Sequence, residues 1–120
     1  MAGEDLKERT REFSLCVIRL VESLPKSKTS DVLGRQLLRS GTSVGANYRS
    51  ACRSRSTLDF ISRITIAEEE ADESRYWMEL MVGAKLVQES RLAGLMTEAQ
   101  ELVAIFAASA RTAKKNKSVP

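Results

Sequence analysis

The 120-residue sequence contains no histidine, and this absence excludes several classes of site. Without histidine there can be no Ser-His-Asp or Cys-His catalytic arrangement. The Glu-x-x-His motif of carboxylate-bridged di-iron bundles is excluded for the same reason. The sequence identifies no base that would activate a nucleophile. We therefore expect a protein that is not an enzyme and that binds no cofactor.

Cysteine is almost as scarce as histidine. Cys16 and Cys52 lie far apart and form no Cys-x-x-Cys pair, so a structural zinc site is not expected. We interpret both as small buried apolar residues rather than as a disulfide or a reactive thiol. The acidic run from Glu68 to Glu73 is interpreted as a solvated face that pairs with arginines. It is not expected to bind a metal, because consecutive helical residues point in different directions.

Proline and aromatic residues are also few, with two prolines and 5% aromatics, whereas Ala, Leu, Glu and Arg are abundant. This composition favours one all-α domain, and the chain is long enough to form its own core. No apolar run approaches the roughly 20 residues that span a bilayer. The N-terminus lacks the basic and then apolar pattern of a secretory signal. We therefore expect a cytoplasmic protein that does not associate with membranes.

The spacing of apolar residues predicts four amphipathic helices. The first ends before Pro25, and the second has Ser30 as its N-cap and extends to about Arg53. Short loops between the helices favour an antiparallel up-down-up-down four-helix bundle over residues 1–115. A disordered basic tail is predicted to follow over residues 116–120.

The third helix has the clearest pattern of the four. It starts at a capping box headed by Ser56 and is expected to reach about Gln88. Apolar and small residues spaced alternately four and three apart form the seam of a bundle. These residues are Phe60, Ile64, Ala67, Ala71, Ser74, Met78 and Met81. The fourth helix begins either at Ser90 or only after Thr97.

Within the second helix, the stretch from Gln36 to Tyr48 contains Gly41 and Gly45. Each costs about 1 kcal/mol relative to alanine inside a helix. The surrounding GTSVGAN is not a phosphate loop, because it lacks the Gly-Lys-Ser/Thr ending and a preceding strand. We interpret the two glycines as positions where another helix approaches closely.

The second helix has one narrow apolar face, formed by Leu33, Leu37, Val44, Tyr48 and Ala51, and arginines cover the opposite face. Those that fall within an arc of about 80° on a helical projection are Arg35, Arg39, Arg49 and Arg53. Arg55 follows them, and no acidic residue lies between Asp31 and Asp59. The planar guanidinium matches a phosphate, so this pattern is consistent with nucleic-acid binding, assisted by Lys114 and Lys115. A solvated face, or one paired with the acids of another subunit, explains it equally well.

Polar residues border both faces of the second helix: Gln36, Ser43 and Asn47. On the third helix, Glu70 and Glu73 border an apolar strip that includes Trp77. A partly buried carboxylate there requires a partner. Arg63, one heptad before Glu70, is the nearer candidate, and a residue of the second helix is the farther one. We expect Trp77 to pack against another helix or subunit rather than to stack on a base.

Several of these residues together resemble the bacterial four-helix bundle protein family. The combined pattern within residues 36–80 is Gln-Leu-x-Arg-Ser, Ser-x-x-x-Asn, Asp-Phe and Glu-Ala-x-Glu-x-x-Tyr-Trp. That family is also known for proteins encoded by intervening sequences within large-subunit ribosomal RNA genes. It is related in fold to the accessory variability determinant protein of diversity-generating retroelements.

The resemblance implies a left-handed antiparallel bundle that assembles as a homopentamer around a central channel. It also implies binding to RNA, DNA or a reverse transcriptase through basic surfaces, and it implies no enzymatic activity. The motif positions are occupied by Gln36, Arg39, Ser40, Ser43, Asn47, Asp59, Phe60, Glu70, Glu73 and Trp77. Many members carry glutamate where this chain has Ser50, so no carboxylate role is assigned there.

Two functions fit the sequence. In the first, the chain is a non-catalytic oligomeric accessory protein that binds RNA or DNA through the arginine face. In the second, it is a self-assembling scaffold or protein-interaction module without nucleic-acid binding. An arginine of the second helix, Arg39 or Arg49, would then pair with a carboxylate of the third helix across a subunit interface. Asn47 would hydrogen-bond buried amides in that arrangement.

Overall fold

The computed structural model describes residues 2–117, with side chains from 5 to 116, and within this range it contains four helices and no strand. The helices are α1 (Ala2–Glu22), α2 (Lys28–Cys52), α3 (Thr57–Gly83) and α4 (Glu89–Lys117). They form an elongated body of 55 × 24 × 20 Å. The predicted all-α, four-helix fold is confirmed.

Each helix packs antiparallel against the next one in the sequence. Ser14 Oγ donates a hydrogen bond to the carbonyl of Gly41 across α1 and α2, at 3.2 Å. The hydroxyls of Ser40 and Ser74 are 2.8 Å apart across α2 and α3. α3 packs closely along α4, whereas α1 and α4 touch at only a few points. The result is an up-down-up-down bundle in which the α1–α4 side is the least closed.

The predicted apolar stripes form the core. Six of the seven predicted seam positions of α3 are buried, and Phe60 is partly buried. On α2 the predicted narrow face is buried at four positions, Leu37, Val44, Tyr48 and Ala51. Two aromatic rings connect opposite helices of the bundle, because Tyr48 and Phe106 stack with their centroids 5.9 Å apart. The heptad-like spacing therefore identifies the core-facing side of both central helices.

The glycines of α2 lie where α1 approaches most closely, which confirms their predicted role. A Cβ on Gly41 would be 2.8 Å from Val17 Cγ2, closer than real Cβ contacts allow. A Cβ on Gly45 would be 3.2 Å from Thr10 Oγ1. α2 passes through both glycines without a break, so GTSVGAN is a helical packing segment.

Some predicted details of α2 are wrong. Its N-cap is Ser27, whose side chain accepts a hydrogen bond from the Ser30 amide at 3.0 Å, while Ser30 itself is buried inside the first turn. The sequence KSKTS contains several residues able to cap, and burial of Ser30 decides between them. Cys52 is exposed at the end of α2 and Cys16 is half-buried, so only one thiol has even part of the predicted burial.

The boundaries of α3 and α4 also differ from the prediction. Ser56 caps α3 as predicted, but the helix ends at Gly83 rather than near Gln88. Lys85 adopts a φ of 62°, and the Leu86 amide donates back to the Met81 carbonyl, which closes the helix end. α4 starts one residue before the earlier predicted start. It continues through residue 117, which includes the first two residues of the predicted tail, and residues 118–120 lie outside the described part of the chain.

Candidate functional site

The predicted arginine face lies on the outside of α2. Arg35, Arg39, Arg49 and Arg53 are exposed along the helix, and Arg55 is exposed in the loop that follows. At 1.5 Å per residue, Arg35 and Arg53 are about 27 Å apart along the helix axis. We call these five residues the arginine row. They form an extended surface rather than a single pocket.

The topology brings both parts of the predicted basic set to one end of the bundle. α2 and α4 run in the same direction, because the helices alternate up and down. Arg49, Arg53 and Arg55 therefore share an end with Lys114 and Lys115, both exposed on the last turns of α4. Residues more than 50 positions apart in the sequence thus contribute to one basic end.

A cleft of about 500 Å³ opens between α1 and α2 beside Arg49. Lys7 and Arg11 of α1 line it together with Arg49, and threonine and serine hydroxyls lie between them. Arg11 pairs with Glu8 on its own helix, with 3.6 Å between Nη1 and Oε1. The sequence prediction did not include Lys7 and Arg11. Their charges are visible on the polar face of α1, but only the close α1–α2 packing places them next to the row.

Arg39 differs from the rest of the arginine row, because it alone has acidic partners among the described side chains. Its Nη1 lies 3.0 Å from Glu70 Oε2, and its Nη2 donates to Glu73 Oε1. The Glu70 side chain is only 15% exposed, whereas Arg39 is 51% exposed. The nearer predicted partner of Glu70 is wrong, since Arg63 pairs with Asp59 on its own helix at 3.1 Å. The farther candidate, a residue of α2, is the one observed.

Trp77 completes this group, which we call the α2–α3 cluster: Arg39, Glu70, Glu73 and Trp77. The indole Nε1 donates to Glu73 Oε1 at 3.2 Å, and the ring packs on the edge of the core. Its neighbour Tyr76 is 51% exposed, with the two ring centroids 5.3 Å apart. Trp77 is thus partly buried against the core, and its indole N–H orients Glu73 on the same helix.

The two carboxylates favour the charged form of Arg39. Desolvation alone would lower the pKa of its guanidinium, but hydrogen bonds and charge interactions with Glu70 and Glu73 raise the pKa above its ordinary value. A guanidinium shared between two carboxylates has less unbalanced charge to offer a phosphate. The ion pairs are half-exposed, so their contribution to stability is modest.

The comparison with known proteins covers most of the chain. The sequence profile of the 23S rRNA-intervening sequence protein family matches residues 4–108. The chain belongs to this family. A crystal structure of a protein of unknown function from the S23 ribosomal protein family of Bacteroides thetaiotaomicron is 30% identical, with a TM-score of 0.86. The match covers 92% of this chain and 99% of that chain. Among curated proteins, none matches.

Membership of this family agrees with the resemblance seen in the motifs of residues 36–80. All the motif residues lie on α2 and α3. Ser40 is buried at the α2–α3 contact, where the hydroxyl of Ser74 reaches both it and the Glu70 carbonyl, each at 2.8 Å. In the register of the two helices that joins Ser40 to Ser74, Arg39 lies opposite Glu70.

The three flank residues of α2 lie beside the α2–α3 cluster and are all half-buried: Gln36, Ser43 and Asn47. Asn47 Nδ2 donates to both the carbonyl and the hydroxyl of Ser43, each at 2.9 Å. Within residues 5–116 no protein donor reaches the Asn47 carbonyl oxygen, and Gln36 has no side-chain hydrogen bond. Both amides retain hydrogen-bonding capacity for water or for a partner.

The acidic run of α3 pairs with arginine at two positions, Glu70 and Glu73, as described above. Across the described side chains, no group of three or more histidine, cysteine, aspartate or glutamate residues is arranged to hold a metal ion. Among the described helices, none is both long enough and apolar enough to cross a membrane.

Proposed function

We propose that this chain is a non-catalytic, cytoplasmic accessory protein that binds RNA or DNA and works as a homo-oligomer. One observation carries the nucleic-acid part. Arg35, Arg49, Arg53 and Arg55 are exposed and have no acidic partner among the side chains the structure describes. The name of its family, 23S rRNA-intervening sequence protein, supports the same context.

The chemistry of the row favours the phosphate backbone over the bases. Guanidinium groups match phosphate oxygens in a planar fork, and they carry charge at every physiological pH. Over about 27 Å of helix axis, a duplex presents about 16 phosphate charges. Such contacts position a protein on nucleic acid without reading sequence. We therefore expect binding that is weakly sequence-selective and steeply dependent on salt.

Within the arginine row, the residues near the end of α2 are the strongest candidates. Arg49 faces the hydroxyl-lined cleft, while Arg53 and Arg55 share their end of the bundle with Lys114 and Lys115. Arg39 also belongs to the predicted phosphate-binding set. Its two carboxylate partners favour a docking role for Arg39 instead.

The test is the double variant Arg49→Gln/Arg53→Gln, measured with a labelled RNA oligonucleotide and a labelled DNA duplex. Fluorescence anisotropy from about 50 mM to about 200 mM salt gives both affinity and salt slope. Each lost phosphate contact should reduce the slope by about 0.7 on a single strand and about 0.9 on a duplex. Affinity at the lowest salt should fall about tenfold or more.

A matched control separates a specific surface from net charge. Lys26→Gln/Lys85→Gln removes the same charge from outside α2, and both lysines are exposed and have no acidic partner among the described side chains. We expect this control to bind almost as tightly as the unmodified chain. Equal losses in the two double variants would mean that only the total charge matters. Unchanged binding in Arg49→Gln/Arg53→Gln would disprove the proposed surface.

The second candidate function is self-assembly, which we propose takes the form of a homopentamer docked through the α2–α3 flank. Half-buried Gln36 and Asn47 with unused hydrogen-bonding capacity favour this surface, and Ile66 on the same side is 40% exposed. Native mass spectrometry measures the subunit count. Ile66→Asp should dissociate the oligomer while the helical circular dichroism is retained. A monomeric unmodified chain would rule out the pentamer without affecting the arginine row.

A further inference from the structure

α1 and α4 enclose a separate cleft of about 500 Å³, because these two helices touch at only a few points. Its floor is apolar, formed by Phe13, Leu20 and Leu92, and its walls include half-buried Leu95 and Cys16. This volume is within the range of small-molecule sites, roughly 300–1,000 Å³. The cleft lies away from α2 and shares no residue with the arginine row.

Gly94 lines this cleft in the second turn of α4. A Cβ at this position would meet nothing within 4 Å, in contrast to Gly41 and Gly45. Glycine inside a helix costs about 1 kcal/mol relative to alanine. Close packing within the chain explains that cost at the two α2 positions but does not explain it at Gly94. The missing side chain leaves room in the cleft.

One end of the cleft is closed by an ion-pair clamp between the helices. Arg9 Nε lies 2.6 Å from Glu98 Oε2, and its Nη2 lies 2.6 Å from Glu101 Oε1. The clamp crosses the groove between α1 and α4, so a long helix could not lie along it without breaking these pairs. Phe13 and Leu92 are almost fully buried, at 2% and 1% exposed, so the apolar surface open to a ligand is a narrow strip rather than the broad patch that a protein partner would need.

The other end of the cleft carries two arginines, one from each helix. Arg91 Nη2 donates to Ser23 Oγ at 3.2 Å, and Arg19 Nη2 donates to Cys16 Sγ at 3.4 Å. Neither guanidinium has an acidic partner within residues 5–116. Both are exposed and line the same cleft. An anionic group at this end would therefore meet two cations that are not already neutralised.

We propose that the α1–α4 cleft binds an amphipathic monoanion, with an unbranched apolar chain along the floor and a carboxylate-type head at Arg19 and Arg91. The distance from these arginines to the clamp, ten residues along α1, is about 15 Å and sets the length of the chain. Glu12 also lines the cleft, and its charge disfavours a ligand with additional negative groups. This site does not depend on the nucleic-acid proposal.

Calorimetric titration with dodecanoate, below its micelle concentration, tests the site directly. We expect saturable binding of one dodecanoate per chain. Acetate, which has the head without the chain, and dodecyltrimethylammonium, which has the chain with the opposite charge, should bind far more weakly. Arg19→Gln and Arg91→Gln should each weaken dodecanoate binding by about tenfold, because each removes a charge-assisted contact. Equal binding of dodecanoate and dodecyltrimethylammonium would overturn the proposal, as would no saturable binding.

A pair of glycine variants tests the location. A Cβ at Gly94 has open space around it, so Gly94→Leu should place its side chain in the cleft and abolish dodecanoate binding. Gly83→Leu is the matched control, because a Cβ there also meets nothing within 4 Å and Gly83 lies outside the cleft, at the end of α3. It should bind dodecanoate normally. Thermal unfolding confirms that both variants fold. Unchanged dodecanoate binding in Gly94→Leu would overturn the site. If Gly94→Leu instead dissociates an oligomer, the cleft is occupied by a second copy of the chain and the dodecanoate proposal is wrong.

The two cysteines provide an independent measurement of occupancy. Cys16 lines the cleft, whereas exposed Cys52 lies elsewhere and serves as an internal reference. Dodecanoate should slow the alkylation of Cys16 by iodoacetamide and leave that of Cys52 unchanged, as resolved by peptide mass spectrometry. Slowing at both cysteines would indicate a non-specific detergent effect and would contradict the proposal.

Discussion

The two sides of α1 are built in opposite ways. Towards α2, the backbones approach so closely that a Cβ on Gly41 would lie 2.8 Å from Val17 Cγ2. Towards α4, contact is sparse, Arg9 and Glu98 form an ion pair across the gap, and a Cβ on Gly94 would meet nothing within 4 Å. Glycine on α2 thus permits close packing against α1, whereas glycine on α4 leaves space between α4 and α1.

This difference shows that glycine inside a helix does not by itself indicate close packing against another helix. The intrinsic cost of about 1 kcal/mol is the same at both positions. At Gly41 the missing side chain permits close packing against α1, and the gain in buried apolar contact offsets the intrinsic cost. At Gly94 no contact within the described chain does so. The free energy of unfolding should therefore respond in opposite directions when alanine replaces the two glycines.

The largest change in the free energy of unfolding is expected for Gly41→Ala. Alanine adds a Cβ within 3 Å of both methyl groups of Val17, and Val17 is fully buried and cannot move into solvent. Overpacking of this kind typically costs about 1–3 kcal/mol, which exceeds the helix-propensity gain. Chemical denaturation of Gly41→Ala should therefore show a loss of about 1–2 kcal/mol in the free energy of unfolding.

The double variant Gly41→Ala/Val17→Ala is the control for this clash. Val17→Ala alone removes buried methyl groups and destabilises the fold. In the double variant the new Cβ occupies part of the space that Val17 leaves. The double variant should therefore be more stable than the sum of the two single effects predicts, by about 0.5 kcal/mol or more. Strict additivity would show that the α1–α2 contact does not limit the size of residue 41.

A smaller effect of opposite sign is expected at Gly94. Alanine there meets no atom within 4 Å and removes the conformational freedom of glycine from the unfolded chain. Gly94→Ala should raise the free energy of unfolding by up to about 1 kcal/mol. Denaturation of this variant beside Gly41→Ala tests the comparison directly. Destabilisation by Gly94→Ala would mean that another group already packs against this position.

The fold could be predicted because it rests on periodicity. The alternating three and four spacing of α3 marks its buried side, and Ser56 caps the helix where a capping box stands in the sequence. The end of α3 could not be predicted in the same way. Lys85 adopts a left-handed conformation that usually favours glycine, so no turn signal appears in the sequence at that position.

The site was only partly predictable, because its contacts depend on the register between helices. Glu70 was expected to need a cation, but Arg63 and Arg39 could both have supplied it. The register in which Ser40 contacts Ser74 brings Arg39 to Glu70, and a single sequence does not reveal this register. The α1–α4 cleft is a feature that sequence reasoning missed. It is formed by α1 and α4, which are neither adjacent in sequence nor closely packed, and local sequence patterns do not predict a space between such helices.

A smaller change in the free energy of unfolding is expected for Arg39→Gln, and it sharpens the contrast between paired and unpaired arginines. Arg39→Gln removes both ion pairs of the α2–α3 cluster and leaves Glu70, which is 15% exposed, without its cation. The pair is half-exposed, so the loss in unfolding free energy should stay below about 1 kcal/mol and shrink at high salt. Arg49→Gln, which breaks no ion pair, should change stability less still.

The pH dependence of this loss follows from the raised pKa of Arg39, which desolvation lowers but Glu70 and Glu73 raise more strongly. A group whose folded pKa is raised stabilises the fold fully below its unfolded pKa and loses that contribution only as the pH rises through the folded value. Arginine remains charged at any physiological pH, so its titration should not change the Arg39→Gln effect between about pH 6 and about pH 9. Urea denaturation across this range measures it. If the loss in unfolding free energy caused by Arg39→Gln disappeared by pH 9, another titrating group and not the Arg39 ion pair would be responsible for it.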